Sequence, residues 1–215
     1  MKYLIINADD FGYSEVFNES ILELIKMNLI SSTTAMVNHI DSKQNKQVDK
    51  ILKLKKTHKV SLGLHLELNN TQYNQEITKQ YNRFIEIFGD TPTHLDIHKP
   101  NGSNSEKNTL YNFCKRNNIK CRNLGQEIDG IITTSNEYLN GTRLSFEKIE
   151  SMLKNLKENE SYEILFHPGT YDKNCKSSLN KEREVDIEKI KKLNSKLEEN
   201  MIKIISFSDL PIVGI

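Results

Sequence analysis

The chain has 215 residues with 30 Lys and Arg against 29 Asp and Glu, so its net charge of +1 gives no electrostatic footprint for nucleic acid or an anionic membrane surface. A length of 215 residues is within the reach of one hydrophobic core, and a single domain over residues 1–215 with a small, roughly neutral partner is expected. No apolar run reaches the roughly 18 residues needed to span a bilayer, and the start turns acidic at Asp9-Asp10 too early for a signal peptide. Cys114, Cys121 and Cys175 lack C-x-x-C pairing, so the reading is a cytoplasmic protein with no disulfide framework and no thiolate metal site.

The run 3–6 is continuously apolar and passes abruptly into Asn7-Ala8-Asp9-Asp10-Phe11-Gly12, the pattern of a strand buried on both faces that delivers polar groups at its C-terminal end. Ser14 is a candidate N-cap for a helix in which Phe17, Ile21, Leu24 and Ile25 recur at helical spacing as far as Asn28. Val48, Ile51, Leu52 and Lys55 predict a second amphipathic helix, followed by a strand over 60–68. In that strand Val60, Leu62, Leu64, Leu66 and Leu68 alternate with Ser61, Gly63, His65 and Glu67, and in a barrel the polar set faces inward.

Ile77, Tyr81, Phe84, Ile85 and Phe88 mark a helix closed by Gly89. Pro92 then introduces Thr93-His94-Leu95-Asp96-Ile97-His98, where a period of two puts His94, Asp96 and His98 on one face, a costly burial of ionisable groups. Leu110, Phe113 and Cys114 predict a helix, 119–122 a short strand, and Ile149, Met152, Leu153 and Leu156 a helix capped near Ser145. A strand over 163–166 ends at His167-Pro168-Gly169. Ile187, Ile190, Leu193 and Leu197 outline the last helix, and 202–206 a final strand.

Strands alternating with helices, with no internal repeat or low-complexity linker, predict an α/β fold with a mostly parallel sheet, whose site gathers at the strand C-terminal ends. Asp9, Asp10, His65, His98 and His167 fall at such ends on four strands. His65, His98 and Asp10 make a mixed nitrogen and oxygen ligand set for one divalent ion, magnesium or zinc, with positions left open for water and substrate. Asp9 is then positioned as a base toward the attacking water and His167 as an acid toward a departing amine, the inventory for amide hydrolysis. His39 and His58, in polar segments, are read as solvated. Asp10-Phe11-Gly12 looks like the kinase magnesium motif, but it precedes rather than follows the His94–Asn101 segment, and no glycine-rich loop or lysine signature accompanies it. His94-x-Asp96 also suits a two-histidine, one-carboxylate iron site, a reading that the alternation of strands and helices disfavours.

Asn7-Ala8-Asp9-Asp10-Phe11-Gly12 with Ile30-Ser31-Ser32-Thr33-Thr34-Ala35-Met36, Gly63-Leu64-His65-Leu66, Thr93-His94-Leu95-Asp96-Ile97-His98 and Phe166-His167-Pro168-Gly169 resemble, in order, the motifs of the YdjC/ChbG carbohydrate deacetylases. The resemblance implies a distorted (β/α) barrel of the polysaccharide-deacetylase type, with Asp10, His65 and His98 as metal ligands, Asp9 as base and His167 as acid. It also implies a small acetylated sugar as substrate, such as diacetylchitobiose or its 6-phosphate; a different amide or ester, or sugar binding without catalysis, are the rival readings. Arg122, His94 and Asp96 are candidates for substrate contact. Arg183 also falls where the family carries an arginine, as a second candidate for substrate contact, with a solvated helix residue the favoured reading. Lys99-Pro100-Asn101-Gly102 departs from the family's further histidine, and the connection from Asn69 to Tyr81 is shorter than usual for the family. Neither nucleic acid nor membrane is an expected partner; a homodimer is the expected assembly.

Overall fold

The computed structural model describes residues 1–58, 60–68, 72–125 and 129–211. Its elements in chain order are β1 (Lys2–Phe11), α1 (Glu15–Lys26), β2 (Ser32–Ala35), α2 (Asn45–His58), β3 (Ser61–Leu66), α3 (Tyr73–Phe88), β4 (His94–Ile97), α4 (Asn104–Asn117), β5 (Lys120–Cys121), β6 (Leu139–Asn140), α5 (Phe146–Lys154), β7 (Ser161–Phe166), α6 (Arg183–Leu197) and β8 (Ile202–Ile204). The strands run in the order β5-β4-β3-β2-β1-β7-β6, with β8 beside the start of β1, and every pairing is parallel. Among the described residues β5 and β6 do not pair, so the sheet curls into a barrel left open on one side. This is the mostly parallel α/β fold that the alternation of elements predicts, closed partway into the distorted barrel that the family resemblance implies.

The helices start and stop where their local chemistry dictates. The Ser14 hydroxyl accepts from the Val16 amide at 3.1 Å to open α1, and Ser145 does the same for Lys148 in α5. Gly89, at φ 69, closes α3 in the left-handed conformation that only a residue without Cβ adopts freely. Their apolar stripes, with Ile21, Leu24, Ile51, Phe84 and Leu193 among them, pack on the outward faces of the strands, which carry Leu4, Ile6, Leu62, Leu64 and Ile164. The inside of the barrel differs. Ile5, Ile205, Phe207 and Leu210 seal its lower end, and above them the inward face is polar.

Several boundaries differ from the expected ones. β1 continues through Asp9 and Asp10 to Phe11 because β2 pairs with its upper half, at Asn7, Ala8 and Phe11. β2 and β6 were not foreseen: Ser32-Thr33-Thr34-Ala35 carries no apolar alternation, and β6 is only two residues long. β3 ends at Leu66 rather than 68, because the Gln80 side chain takes both the amide and the carbonyl of Glu67, at 3.0 and 2.8 Å, in place of a neighbouring strand. β8 stops at Ile204, and the Ser206–Asp209 capping turn follows. In the connection from Asn69 to Tyr81, residues 69–71 lie outside the described residues and α3 begins at Tyr73. Among the described residues no helix is long and apolar enough to cross a membrane.

Candidate active site

Successive side chains of a strand point to opposite faces, yet Asp9 and Asp10 both turn into the upper end of the barrel. The backbone explains how. Asp10 has φ 73, and the pairing of β1 with β2 slips between Ala8 and Phe11. Aspartate tolerates this left-handed conformation better than most residues with a side chain.

Asp10, His65 and His98 come together from β1, β3 and the end of β4. His65 Nε2 lies 3.1 Å from His98 Nδ1, and Asp10 Oδ1 lies 3.4 Å from the first and 3.5 Å from the second. Donors bonded tetrahedrally to one ion at about 2.0–2.1 Å are separated by roughly 3.3–3.4 Å, so the three atoms form one face of such a coordination shell. Asp10 Oδ1 is buried with no hydrogen-bond partner, which is the condition of a ligand atom. His65 Nδ1 is engaged by Asp96 Oδ1 at 2.7 Å, an orienting carboxylate that commits Nε2 to the cluster. Burial lowers the His65 pKa, but Asp96, Asp9 and Asp10 outweigh it and raise it well above the usual value in the absence of a cation. Together these features fit a divalent metal. Asp9, His65 and Asp96 form a second group of potential ligands, but the Arg122 guanidinium contacts both of its carboxylates.

Arg122, just beyond β5, is buried among three acids. Nη2 and Nη1 donate to Asp9 at 2.8 and 3.1 Å, Nε and Nη2 donate to Glu163 at 2.9 and 2.7 Å, and Nη1 also contacts Asp96. One cation cannot hold three carboxylates ionised equally. Burial pushes Asp9 upward, but Arg122, His65 and His167 overcome it and hold its carboxyl far below the usual range. For Glu163 burial wins over Arg122, and its pKa is raised to about 7. Asp9 is therefore an ionised acceptor, tethered further by Asn7 Nδ2 at 2.6 Å and the Thr34 hydroxyl at 2.8 Å.

His167 follows β7, and its Nε2 faces Asp9 Oδ2 at 3.9 Å. Its Nδ1 meets the Thr142 hydroxyl at 2.9 Å, and Thr142 in turn donates to Asp186 Oδ2 at 2.5 Å. Burial lowers the His167 pKa against the opposing pull of Asp10 and Asp9. Arg183 corrects the expectation of a solvated residue: it is 1% exposed, donates through Nη2 to Asp10 Oδ2 at 2.5 Å and lies 3.9 Å over the Phe17 ring. A cation that deep is tolerated because a carboxylate and an aromatic face meet it.

These groups open on a cavity of about 330 Å³ lined by Asp9, His65, His98, Arg122, Tyr138 and His167. Lys99 and Pro100, where the chain departs from the family pattern, also line it. The structure thus brings together Asp9, Asp10, His65, His98, Arg122 and His167. Asp96 lies behind them, fully buried against His65 and Arg122. His94 is elsewhere: it is fully buried near the barrel floor, stacked on Phe207 with ring centroids 3.7 Å apart, and it does not line the cavity. Burial, then Arg122, lowers its pKa well below the usual value. His39 is exposed, as expected, and it tilts against Tyr13 at 4.7 Å and bonds Glu67 at 3.0 Å. Glu163, Thr142, Tyr138 and Asp186 were missed; only Glu163 left a signal, as a lone charge inside the apolar run 162–166.

The family described as YdjC-like protein matches this chain over residues 3–74 and 67–199. A chitooligosaccharide deacetylase of Yersinia enterocolitica is 36% identical over 124 residues, 45% of this chain and 49% of that protein, so the match spans about half of that relative. A carbohydrate deacetylase of Clostridium beijerinckii is 27% identical over 249 aligned residues, covering 96% of this chain and 99% of the relative. Among solved structures, a putative cellobiose-phosphate cleavage protein of Enterococcus faecalis V583 superposes with a TM-score of 0.78 at 20% identity, covering 97% of this chain and 98% of its own. The same fold recurs at TM-scores of 0.60–0.63 in solved deacetylases and an esterase that act on carbohydrates.

Proposed function

This chain belongs to the YdjC-like family, and from that premise we propose that it is a metal-dependent carbohydrate deacetylase. It would hydrolyse the N-acetyl group of an acetylated amino sugar, a chitooligosaccharide such as N,N'-diacetylchitobiose or its 6-phosphate, and release acetate. The relatives named as deacetylases support the reaction class. The observation that carries the reading is the convergence of Asp10 Oδ1, His65 Nε2 and His98 Nδ1 at 3.1–3.5 Å beside Asp9 and His167.

One magnesium or zinc ion held by Asp10, His65 and His98 would supply Lewis-acid polarisation of the acetamide carbonyl and an acidified water. Everything else falls to the chain. Asp9, kept ionised and immobile by Arg122, Asn7 and Thr34, accepts the proton of the attacking water at Oδ2, the oxygen nearest His167 Nε2. His167 Nε2, 3.9 Å from that oxygen, flanks the same point, takes up the proton that Asp9 removes from the water and passes it to the departing amine. Asp96 and Arg183 hold the ligand side chains without reaching substrate. A cavity of about 330 Å³ is at the small end of the range for ligand sites, which suits one sugar ring with its acetamide.

The test is acetate release from N,N'-diacetylchitobiose, its 6-phosphate and an acetylated xylan, by chelator-treated protein with and without added zinc or magnesium. Metal-dependent release from the amides is expected. Asp9→Asn keeps ion binding by calorimetry and lowers kcat by roughly 10²–10⁴-fold. His65→Ala loses binding and turnover together, and full turnover in that variant overturns the assignment. Release from the xylan alone points to an ester substrate instead.

A further inference from the structure

We infer that Thr142 is a positioning residue that fixes the ring proton of His167 on Nδ1 and so leaves Nε2 as the nitrogen that exchanges protons with substrate. The Thr142 hydroxyl lies between His167 Nδ1, at 2.9 Å, and Asp186 Oδ2, at 2.5 Å. Asp186 serves only as an acceptor: Oδ2 also takes the backbone N–H of His167 at 2.9 Å, and Oδ1 pairs with Lys189 at 3.3 Å. A hydroxyl has one proton to donate. Here it goes to the carboxylate, so the oxygen can only accept from the ring, and Nδ1 must carry hydrogen.

The hydroxyl has little freedom to do otherwise. It sits in the short turn Gly141–Arg143 that follows β6. Lys189 Nζ donates to the carbonyls of Gly141 and Thr142, each at 3.0 Å, and pins the turn to α6. Beneath it Gly141 lies so close to the Phe166 ring that a Cβ would stand 2.4 Å from Cε1. The chain Asp186–Thr142–His167 thus joins α6, the β6 turn and β7, and it aims Nε2 toward Asp9. Burial of the ring favours its neutral form, in which the choice of tautomer matters. The catalytic consequence rests on the deacetylase reading; the tautomer does not.

The experiment uses full-length protein with ¹⁵N-labelled histidine, chelator-treated and zinc-supplemented, at pH 8, with His167 assigned by the signal lost in His167→Gln. Long-range ¹H–¹⁵N spectra are expected to show Nδ1–H in the wild type and in Thr142→Ser. Thr142→Val, close in shape but without the hydroxyl, is expected to populate the Nε2–H form. With an acetylated sugar, Thr142→Val lowers kcat by roughly 10–100-fold, part of the usual contribution of a general acid, with KM unchanged, and Thr142→Ser restores it. A wild-type ring protonated on Nε2, or a Val variant with the wild-type tautomer, overturns the inference. A shifted tautomer with unchanged kcat overturns its role in turnover. Absence of turnover in the wild type would count against the proposed reaction, and the spectra would still decide the tautomer.

Discussion

Gly63→Ala tests whether the polar interior of the barrel is packed as tightly as its geometry indicates. A methyl group at residue 63 would stand 2.4 Å from His94 Cε1, 2.6 Å from Nε2 and 2.7 Å from Nδ1. Ordinary carbon contacts lie near 3.5–4.0 Å, so the ring would have to retreat by about 1 Å. It has no free direction: Phe207 stacks on it at 3.7 Å with the planes 8° apart, and Thr93 and Ser32 lie 2.9 and 3.4 Å from its two nitrogens. Overpacking of a rigid core costs about 1–3 kcal/mol, and this site belongs at the upper end. For a chain of this length, 2–3 kcal/mol lowers Tm by roughly 4–12 °C. Thermal unfolding followed by circular dichroism measures it, and Gly63→Ala/His94→Ala completes the cycle: removing the ring makes room for the methyl, so the pair is more stable than the sum of the single losses by over about 1 kcal/mol. A Gly63→Ala protein that melts with the wild type, or a strictly additive pair, would refute the reasoning.

Two further outcomes follow from the buried charges. Glu163 is neutral in the folded protein up to about pH 7, whereas the ordinary carboxyl ionises near 4.5. Between those values the unfolded chain releases a proton that the folded chain retains, so this group's contribution to stability is complete below pH 4.5 and is lost as pH rises through about 7, on the order of 3 kcal/mol in all. Glu163→Gln should therefore gain on the wild type between pH 5 and pH 8 in urea titrations; an equal difference at both would contradict the shift. Arg183→Met removes the buried partner of Asp10 and should cost about 3–5 kcal/mol, while saturating zinc recovers part of it by supplying the missing positive charge. Equal losses with and without zinc, in calorimetric melts, would exclude that explanation.

Much of the site was legible in the sequence because alternation reports which face of a strand a residue occupies, and His65, Asp96 and His98 do face inward. Alternation does not report height. His94 shares that face but lies four residues before His98, about 13 Å lower in an extended strand, and so it packs at the barrel floor instead of lining the cavity. Arg183 was hidden for another reason. Its neighbours Lys181, Glu182 and Glu184 describe a solvated segment, and contacts remote in sequence, with Asp10 173 residues away and with the Phe17 ring, make it a core residue. Thr142 and Asp186 gave no local signal because their roles come from the meeting of β6, β7 and α6. β2 escaped notice because a strand buried on both faces needs no periodicity.

The left-handed bend at Asp10 has a consequence for how the site responds to loosening. His65, His98, Arg122 and His167 reach the centre from different strands, so their spacings depend on noncovalent pairing and change as the sheet breathes. Asp9 and Asp10 are joined by one peptide unit, which fixes their Cα atoms about 3.8 Å apart whatever the sheet does. Warming or mild denaturant would spread the imidazoles while the two acids stay in step, so the grip on a cation fails before the relation between its carboxylate anchor and the neighbouring base.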